Sequence, residues 1–130
     1  MVDIPQGYET LLERPLYGHL ATTRPDGNAQ VNPMWFDWDG ELLRFTHTNK
    51  RQKFRNIEAN PHVAMSVSDP DNPYRYLEVR GRVAERTNNG ADQHIDAMAK
   101  KYLGKDKYPY RQPGEVRVIY KVAPERTTST

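Results

Sequence analysis

Two turn signals near the start of the chain constrain its fold more than any other feature. In residues 25–28, Pro-Asp-Gly-Asn, proline presets φ and glycine accepts a positive φ, which together favour a tight turn. Asp39-Gly40 is a strong hairpin signal. The strands predicted at Tyr17 to Arg24, Ala29 to Asp37 and Glu41 to about Thr48 therefore follow one another through tight turns, which antiparallel neighbours use.

The remaining chain alternates between further strands and short helices. Apolar residues recur every second position in the predicted strands and every third or fourth position in the predicted helices. Gly81 lies inside the fifth strand and indicates a bulge or a close backbone approach. The further strands are predicted at His62 to Ser68, Tyr76 to Arg86 and Val116 to Val122, and the helices at Pro5 to Glu13, from Asn49 to Asn60-Pro61, and at Ala91 to Leu103.

This succession predicts a mainly β fold, a small six-stranded antiparallel β-barrel with short helices inserted between strands. We expect a single domain over residues 1–130, with a helix in residues 1–14, a proline-punctuated loop over 69–73 and a frayed tail over 124–130. The chain lacks GxGxxG and regular βαβ alternation, so it does not have the Rossmann pattern.

Composition excludes several classes of function. The 19 Lys and Arg against 17 Asp and Glu give a net charge of +2, too balanced for a dedicated duplex-DNA binder. The absence of cysteine excludes disulfides, thiolate nucleophiles and cysteine-based metal sites. The four histidines lie in separate elements and show no metal spacing, so no metal site is predicted. There is no secretory signal and no apolar run of transmembrane length, so we expect a cytoplasmic protein.

The most informative segment runs from Thr48 to Asn56, where cations gather at the predicted start of a helix. Asn49 is a good N-cap, and Gln52 three residues later completes a pair that resembles a capping box. Cations at a helix N-terminus are unfavourable unless an anion binds there. The segment is therefore either an anion site, such as a cofactor phosphate would need, or a solvated basic face. The cations are Lys50, Arg51, Lys53 and Arg55.

Polar and aromatic residues elsewhere could form the walls of such a site. Gln30 and Asn32 share a strand face with Phe36, and buried amides need partners. Pro33 cannot donate to a ladder, which predicts an edge or a bulge there. Tyr74 and Tyr76 could stack on a planar ligand or merely shield a loop.

The order of these motifs resembles the pyridoxamine 5′-phosphate oxidase-like split β-barrel proteins, whose fold is the FMN-binding split barrel. The motifs are a Pro-Asp-Gly turn, Gln-x-Asn-Pro-x-Trp, an Asp-Gly hairpin, Thr-x-Thr and Lys-Arg-x-Lys-x-x-Asn. Within these proteins the chain is most similar to the class B flavin/deazaflavin oxidoreductases, which use coenzyme F420. The resemblance runs from about Tyr17 to Pro124 and is most specific from Ala29 to Pro61.

The resemblance implies a homodimer with each cofactor in a groove at the subunit interface. It implies that loops 69–75 and 108–114 form part of the pocket. It also implies that Arg51, Gln52 and Lys53 hold the cofactor phosphate, supported by Asn56. Gln30, Asn32 and Pro33 would lie beside the cofactor ring, and Thr46 and Thr48 would line its ribityl chain. Tyr74 and Tyr76 would reach across from the partner subunit. Lys50 and Arg55 would suit the acidic oligoglutamate tail of F420.

The implied function is hydride transfer from reduced F420 to an electron-poor small molecule such as an enone, a quinone or a tetrapyrrole. The proton would come from Tyr76, from His47 or from water, and the sequence does not favour one of the three. The nearest alternative is an FMN-dependent oxidoreductase of the same fold. A non-catalytic flavin, deazaflavin or haem carrier is a third possibility. Binding of single-stranded nucleic acid is disfavoured, because cations and aromatic residues are not interleaved along one strand face.

Overall fold

The computed structural model describes residues 2–130, which form three helices and seven strands. In chain order, the elements are α1 (Glu9–Glu13), β1 (Gly18–Thr23), β2 (Ala29–Met34), β3 (Asp37–Trp38), β4 (Leu43–Thr48), α2 (Gln52–Ala59), β5 (His62–Asp69), β6 (Asn72–Thr87), α3 (Ala91–Leu103) and β7 (Arg117–Ser129). Within residues 2–130, no helix is long and apolar enough to cross a membrane.

The strands form one antiparallel sheet in the order β2-β1-β5-β6-β7-β4-β3. β2 and β3 are the two edges, yet only Trp35 and Phe36 separate them in the chain. Consecutive Cα atoms are about 3.8 Å apart, so Met34 and Asp37 lie within about 11 Å of each other. The edges must therefore meet, and the sheet curls into a barrel that is split between β2 and β3. This confirms the predicted mainly β split-barrel class.

The second predicted strand is divided in two, which gives seven strands instead of six. Tyr102 on α3 holds the bend: its hydroxyl donates to Leu16 O at 2.6 Å and accepts from Phe36 N at 3.2 Å. Lys101 Nζ donates to Phe36 O at 2.7 Å. These contacts replace the ladder bonds that a continuous strand would make. Pro33, as predicted, lies on an edge strand.

The barrel interior is filled by alternate residues of the strands and by Leu11 and Leu12 from α1. In β4, the odd-numbered Phe45 and His47 face this core, while Arg44 and Thr46 bond to groups outside it. Gly81 lies at a register shift, and a Cβ there would be 2.3 Å from Ala123 O. The predicted close approach at this glycine is therefore confirmed.

The prediction of a frayed tail over residues 124–130 is wrong. β7 continues to Ser129 and pairs with β6, and Thr130 exchanges backbone hydrogen bonds with Tyr76 at 3.2 and 3.3 Å. The strand was predicted only as far as Val122, because the side chains beyond Pro124 are mostly polar and exposed and the pairing there is made by the backbone. β6 likewise begins at Asn72, so the predicted loop over residues 69–73 is reduced to a tight turn.

We expect the Tyr102→Phe variant to be less stable than the wild type by about 1–3 kcal/mol, because buried groups at the bend lose their partner. Tyr17→Phe is the matched control, since Tyr17 is 59% exposed; its stability should change by less than about 0.5 kcal/mol. Urea denaturation followed by circular dichroism measures both variants. Equal stabilities for the two variants would contradict the assigned role of Tyr102.

Candidate functional site

A cavity of about 590 Å³ lies outside the barrel, against β4, with one wall from β2 and the bend and another from α3 and the segment after it. A volume of this size accommodates a cofactor or a drug-sized ligand. Its lining comprises Tyr17, Asn32, Pro33, Met34, Trp35, Thr46, His47, Thr48, Arg51, Lys53, Ile95, Tyr108, Tyr110, Gln112, Glu115 and Arg117.

One end of the cavity is basic. Arg51, Lys53 and Arg117 line it, and Glu115 lies 3.5 Å from the guanidinium of Arg117. Among the ion pairs formed within residues 2–130, none involves Arg51 or Lys53. Burial, and then the charge of Arg51, lowers the pKa of Lys53. Positive charge therefore exceeds negative charge at this end.

His47, on the core-facing side of β4, is affected by the same excess of positive charge. Its ring packs edge-on against Tyr120 at 4.7 Å, and neither ring nitrogen has a hydrogen-bond partner in the described part of the chain. Burial, followed by the charges of Lys53, Arg51 and Arg117, lowers the pKa of His47 to about 3. His47 contributes to the cavity lining, but both of its ring nitrogens are buried and its ring is neutral near pH 7, so this placement disfavours His47 as a proton donor to a molecule in the cavity.

The helix at the basic end begins later than predicted. Its N-cap is Arg51, and across residues 2–130 no side chain caps it. The prediction of Asn49 as N-cap is wrong, because Asn49 pairs with Val116 instead: its backbone N donates to Val116 O at 3.0 Å and its Oδ1 accepts from Val116 N at 3.3 Å. The partial positive charge of the α2 N-terminus therefore adds to the cations beside it.

A chain of amides connects α2 to the cavity wall. Gln52 donates to Asn56 at 2.9 Å, and Asn56 donates to Thr22 at 2.9 Å and to Gln30 at 3.2 Å. Gln30 donates to Asn32 Oδ1 at 2.8 Å. Asn32 lines the cavity, and since its oxygen is engaged, its amide nitrogen is the group that remains to donate.

A second polar network runs under α3 and was not predicted. Arg44 binds both carboxylate oxygens of Asp37, at 3.0 and 2.6 Å. Asp37 Oδ1 is 3.1 Å from His94 Nε2, and His94 Nδ1 is 2.5 Å from Thr46 Oγ1. Burial raises the pKa of Asp37, but hydrogen bonds from His94 and Arg44 outweigh burial and lower it to about 2. Sequence spacing gave no signal, because the His94 contacts span 48 and 57 residues.

Aromatic residues form the opposite wall. Trp35 stacks on Tyr102 with centroids 5.2 Å apart and an interplanar angle of 11°. Tyr108 meets Trp35 edge-on at 6.0 Å, and Tyr110 meets Tyr108 at 5.6 Å. Asp96 on α3 holds this wall by accepting from the backbone N of Tyr108 at 2.8 Å. Loop 108–114 contributes Tyr108, Tyr110 and Gln112 to the lining, whereas loop 69–75 contributes none of the lining residues of the described chain, and its expected part in the pocket remains a prediction.

The structure brings some of the predicted site residues together. Asn32, Pro33, Thr46, Thr48, Arg51 and Lys53 line the cavity, and Gln30, Gln52 and Asn56 support it. Lys50 lies outside the lining, with Nζ 3.4 Å from Pro113 O. Tyr74 is 86% exposed and, like Tyr76, belongs to β6, which contributes no residue to the lining. The ligand-binding roles of these residues remain predictions.

A split β-barrel with a basic, aromatic-walled cavity is the class that this geometry defines. A family model described as "Pyridoxamine 5'-phosphate oxidase" matches residues 4–130, and the chain belongs to that family. A solved structure named F420 reductase is 57% identical, with a TM-score of 0.86, over 96% of this chain and 98% of that chain. No curated protein matches the chain.

Two more distant structures share the fold. A putative pyridoxamine 5'-phosphate oxidase from Listeria innocua is 22% identical, with a TM-score of 0.70, over 92% of each chain. A conserved hypothetical protein from Mycobacterium tuberculosis is 23% identical, with a TM-score of 0.77, over 99% of this chain and 85% of that chain.

The buried, neutral His47 predicts a pH-dependent loss of stability. Its pKa is lowered in the folded state, so stability falls as the pH drops below the ordinary value of 6.5 and continues to fall towards about 3. Between about pH 7.5 and about pH 5.5, the wild type should lose about 1.4 kcal/mol more than His47→Leu, by linkage to one proton. Urea denaturation of both proteins at each pH measures this; equal pH dependence would refute the assignment.

Proposed function

We propose that this protein is an F420-dependent reductase that acts on an electron-poor small molecule. The observation that carries the proposal is the basic end of the cavity. Arg51 and Lys53 form no ion pair within residues 2–130, and they line the same cavity as Trp35 and Tyr108. An anionic group attached to a planar ring satisfies both features. The 57% identity to a protein named F420 reductase supports F420 as that molecule.

The residues present suit such a cofactor. Arg51, Lys53 and the N-terminus of α2 would hold the phosphate, because charge-assisted hydrogen bonds and the helix dipole favour an anion there. Asn32 would donate from its amide nitrogen, while Thr46 and Thr48 would contact the hydroxyl-bearing chain. Trp35 and Tyr108 would exclude water from one side of the cavity.

Bound reduced F420 supplies two electrons as hydride, and the protein orients the acceptor against it. The proton would come from Tyr76 of a second copy or from water, because both ring nitrogens of His47 are buried. We expect an enone, quinone or tetrapyrrole acceptor, each of which is conjugated and can stack on the aromatic wall.

We further propose that the protein is a homodimer. Tyr74 and Tyr76 lie on β6, away from the lining of the cavity in their own chain, so they could contact the ligand only from a second copy. Analytical ultracentrifugation tests this, and a monomer at micromolar concentration would contradict it. The cytoplasmic location expected from the sequence remains a prediction.

An FMN-dependent oxidoreductase is the second candidate, because the same basic end would hold the phosphate of FMN. The visible spectrum of the purified protein, before and after titration with F420 and with FMN, separates the two. Binding of F420 with quenching of its fluorescence supports the first proposal. A yellow protein that retains FMN and does not bind F420 would overturn it.

Removing the two cations Arg51 and Lys53 should strongly weaken cofactor binding. In the double variant Arg51→Ala, Lys53→Ala, we expect F420 affinity to fall about 100-fold or more, because two charge-assisted hydrogen bonds are lost. Arg80→Ala with Arg82→Ala is the matched control; it removes the same charge from exposed positions on β6 and should change affinity by less than about threefold. Fluorescence titration measures both, and unchanged affinity in the first variant would refute the phosphate role.

Lys50 and Arg55 distinguish the two cofactors. Both are exposed and outside the lining, where the acidic tail of F420 could reach them and the shorter FMN could not. We expect Lys50→Ala with Arg55→Ala to weaken F420 binding about five- to tenfold at low salt and FMN binding by less than about twofold. Titrations with both cofactors at two salt concentrations measure this. Equal effects on the two would show that these cations do not contact the tail.

A further inference from the structure

His94 sits between a fixed charge and a residue of the cavity lining. Its side chain is 4% exposed, on the face of α3 that packs over β4. Nε2 is 3.1 Å from Asp37 Oδ1, and Nδ1 is 2.5 Å from Thr46 Oγ1. The imidazole therefore has a hydrogen-bond partner on each nitrogen, and the chemistry of those partners determines where its hydrogen lies.

Asp37 determines the tautomer of His94. Two hydrogen bonds from Arg44 keep the carboxylate ionised, so it can only accept. An imidazole that carries a single hydrogen must then carry it on Nε2, which leaves a lone pair on Nδ1. Because Nδ1 accepts, the Thr46 hydroxyl must donate its hydrogen to it. The Thr46 oxygen is left with only lone pairs for any other partner.

We propose that Asp37 and His94 are positioning residues that fix Thr46 as a hydrogen-bond acceptor in the cavity, where it binds a hydroxyl or N–H donor of the ligand. The ligand half of this inference rests on the proposed function. An isolated threonine hydroxyl rotates to donate or to accept, and so does not discriminate between ligand groups. The network removes that freedom. Phosphate and carbonyl oxygens are disfavoured beside Thr46, whereas a hydroxyl-bearing chain is favoured.

The charged and hydrogen-bonding groups of the cavity thus have a fixed arrangement. Cations at one end bind an anion, Asn32 offers a donor, and Thr46 offers an acceptor. A ligand with an anionic group next to a hydroxyl-bearing chain matches this pattern in one direction and mismatches it when reversed, because reversal would bring an anion to the acceptor. The network would therefore select the orientation of the ligand.

The tautomer can be measured without any cofactor. Nitrogen-15 NMR of the imidazole side chains in the unliganded wild type at neutral pH, with His94→Gln to assign the signals, should show Nε2 protonated and Nδ1 unprotonated in His94. A hydrogen on Nδ1 would overturn the proposal, because Thr46 would then accept from His94 and could donate to the ligand.

Titrations with F420 and with FMN, both of which carry hydroxyl groups between ring and phosphate, test the ligand half. We expect Thr46→Val to weaken binding about fivefold and Thr46→Ser to remain within about twofold of the wild type. His94→Gln should weaken binding by a similar factor, and adding Thr46→Val to it should cost less than a further twofold, since the two act as one unit. Thr48→Val is the matched control, and its effect should multiply with that of His94→Gln.

The outcomes separate this inference from the proposed function. Independent effects of Thr46→Val and His94→Gln would overturn the ligand half, as would a Thr46→Val variant that binds like the wild type. A wild type that binds neither F420 nor FMN would refute the proposed function and the ligand half together. The tautomer assignment would still be decided by the NMR measurement alone.

Discussion

Closure of the sheet between β2 and β3 is the constraint on which the other features of this protein depend. Two residues join the opposite edges, so the bend at Trp35 and Phe36 must be held firmly. Tyr102 and Lys101 hold it from α3, through hydrogen bonds to the bend and to Leu16. The same bend places Trp35 on the cavity wall and Asp37 beneath His94. Barrel closure and the construction of the site are therefore one structural event.

The positive charge at the basic end of the cavity results from the direct connection between β4 and α2. Arg51 and Lys53 follow the last residue of the strand so closely that both must lie near the helix N-terminus, whose own partial charge is positive. The buried His47 just before them responds by remaining neutral. The cations and the helix N-terminus thus supply a surplus of positive charge, which also contributes to the low pKa of His47. The carboxylate of Glu115 is paired with Arg117.

The sequence predicts the parts of this protein that depend on neighbours in the chain. Tight turns at 25–28 and Asp39-Gly40 define antiparallel strands, and the cations of one segment mark the basic end. Contacts between residues that are far apart in the sequence are harder to predict. Asn49 has the chemistry of a helix cap, but Val116 engages it across 67 residues. The extension of the last strand beyond Val122 was missed because its backbone pairing leaves no hydrophobic pattern in the sequence. The His94 network was missed because its members are far apart in the sequence.

The surplus of positive charge at the basic end of the cavity has a consequence for the stability of the protein. Arg51, Lys53 and the N-terminus of α2 bring like charge together, and under the proposed function a bound cofactor phosphate would offset that repulsion. Under the same proposal, cofactor binding would be linked to the free energy of unfolding, and the folded fraction would rise with the cofactor concentration. The amount of this protein that a cell keeps would then follow the supply of the cofactor.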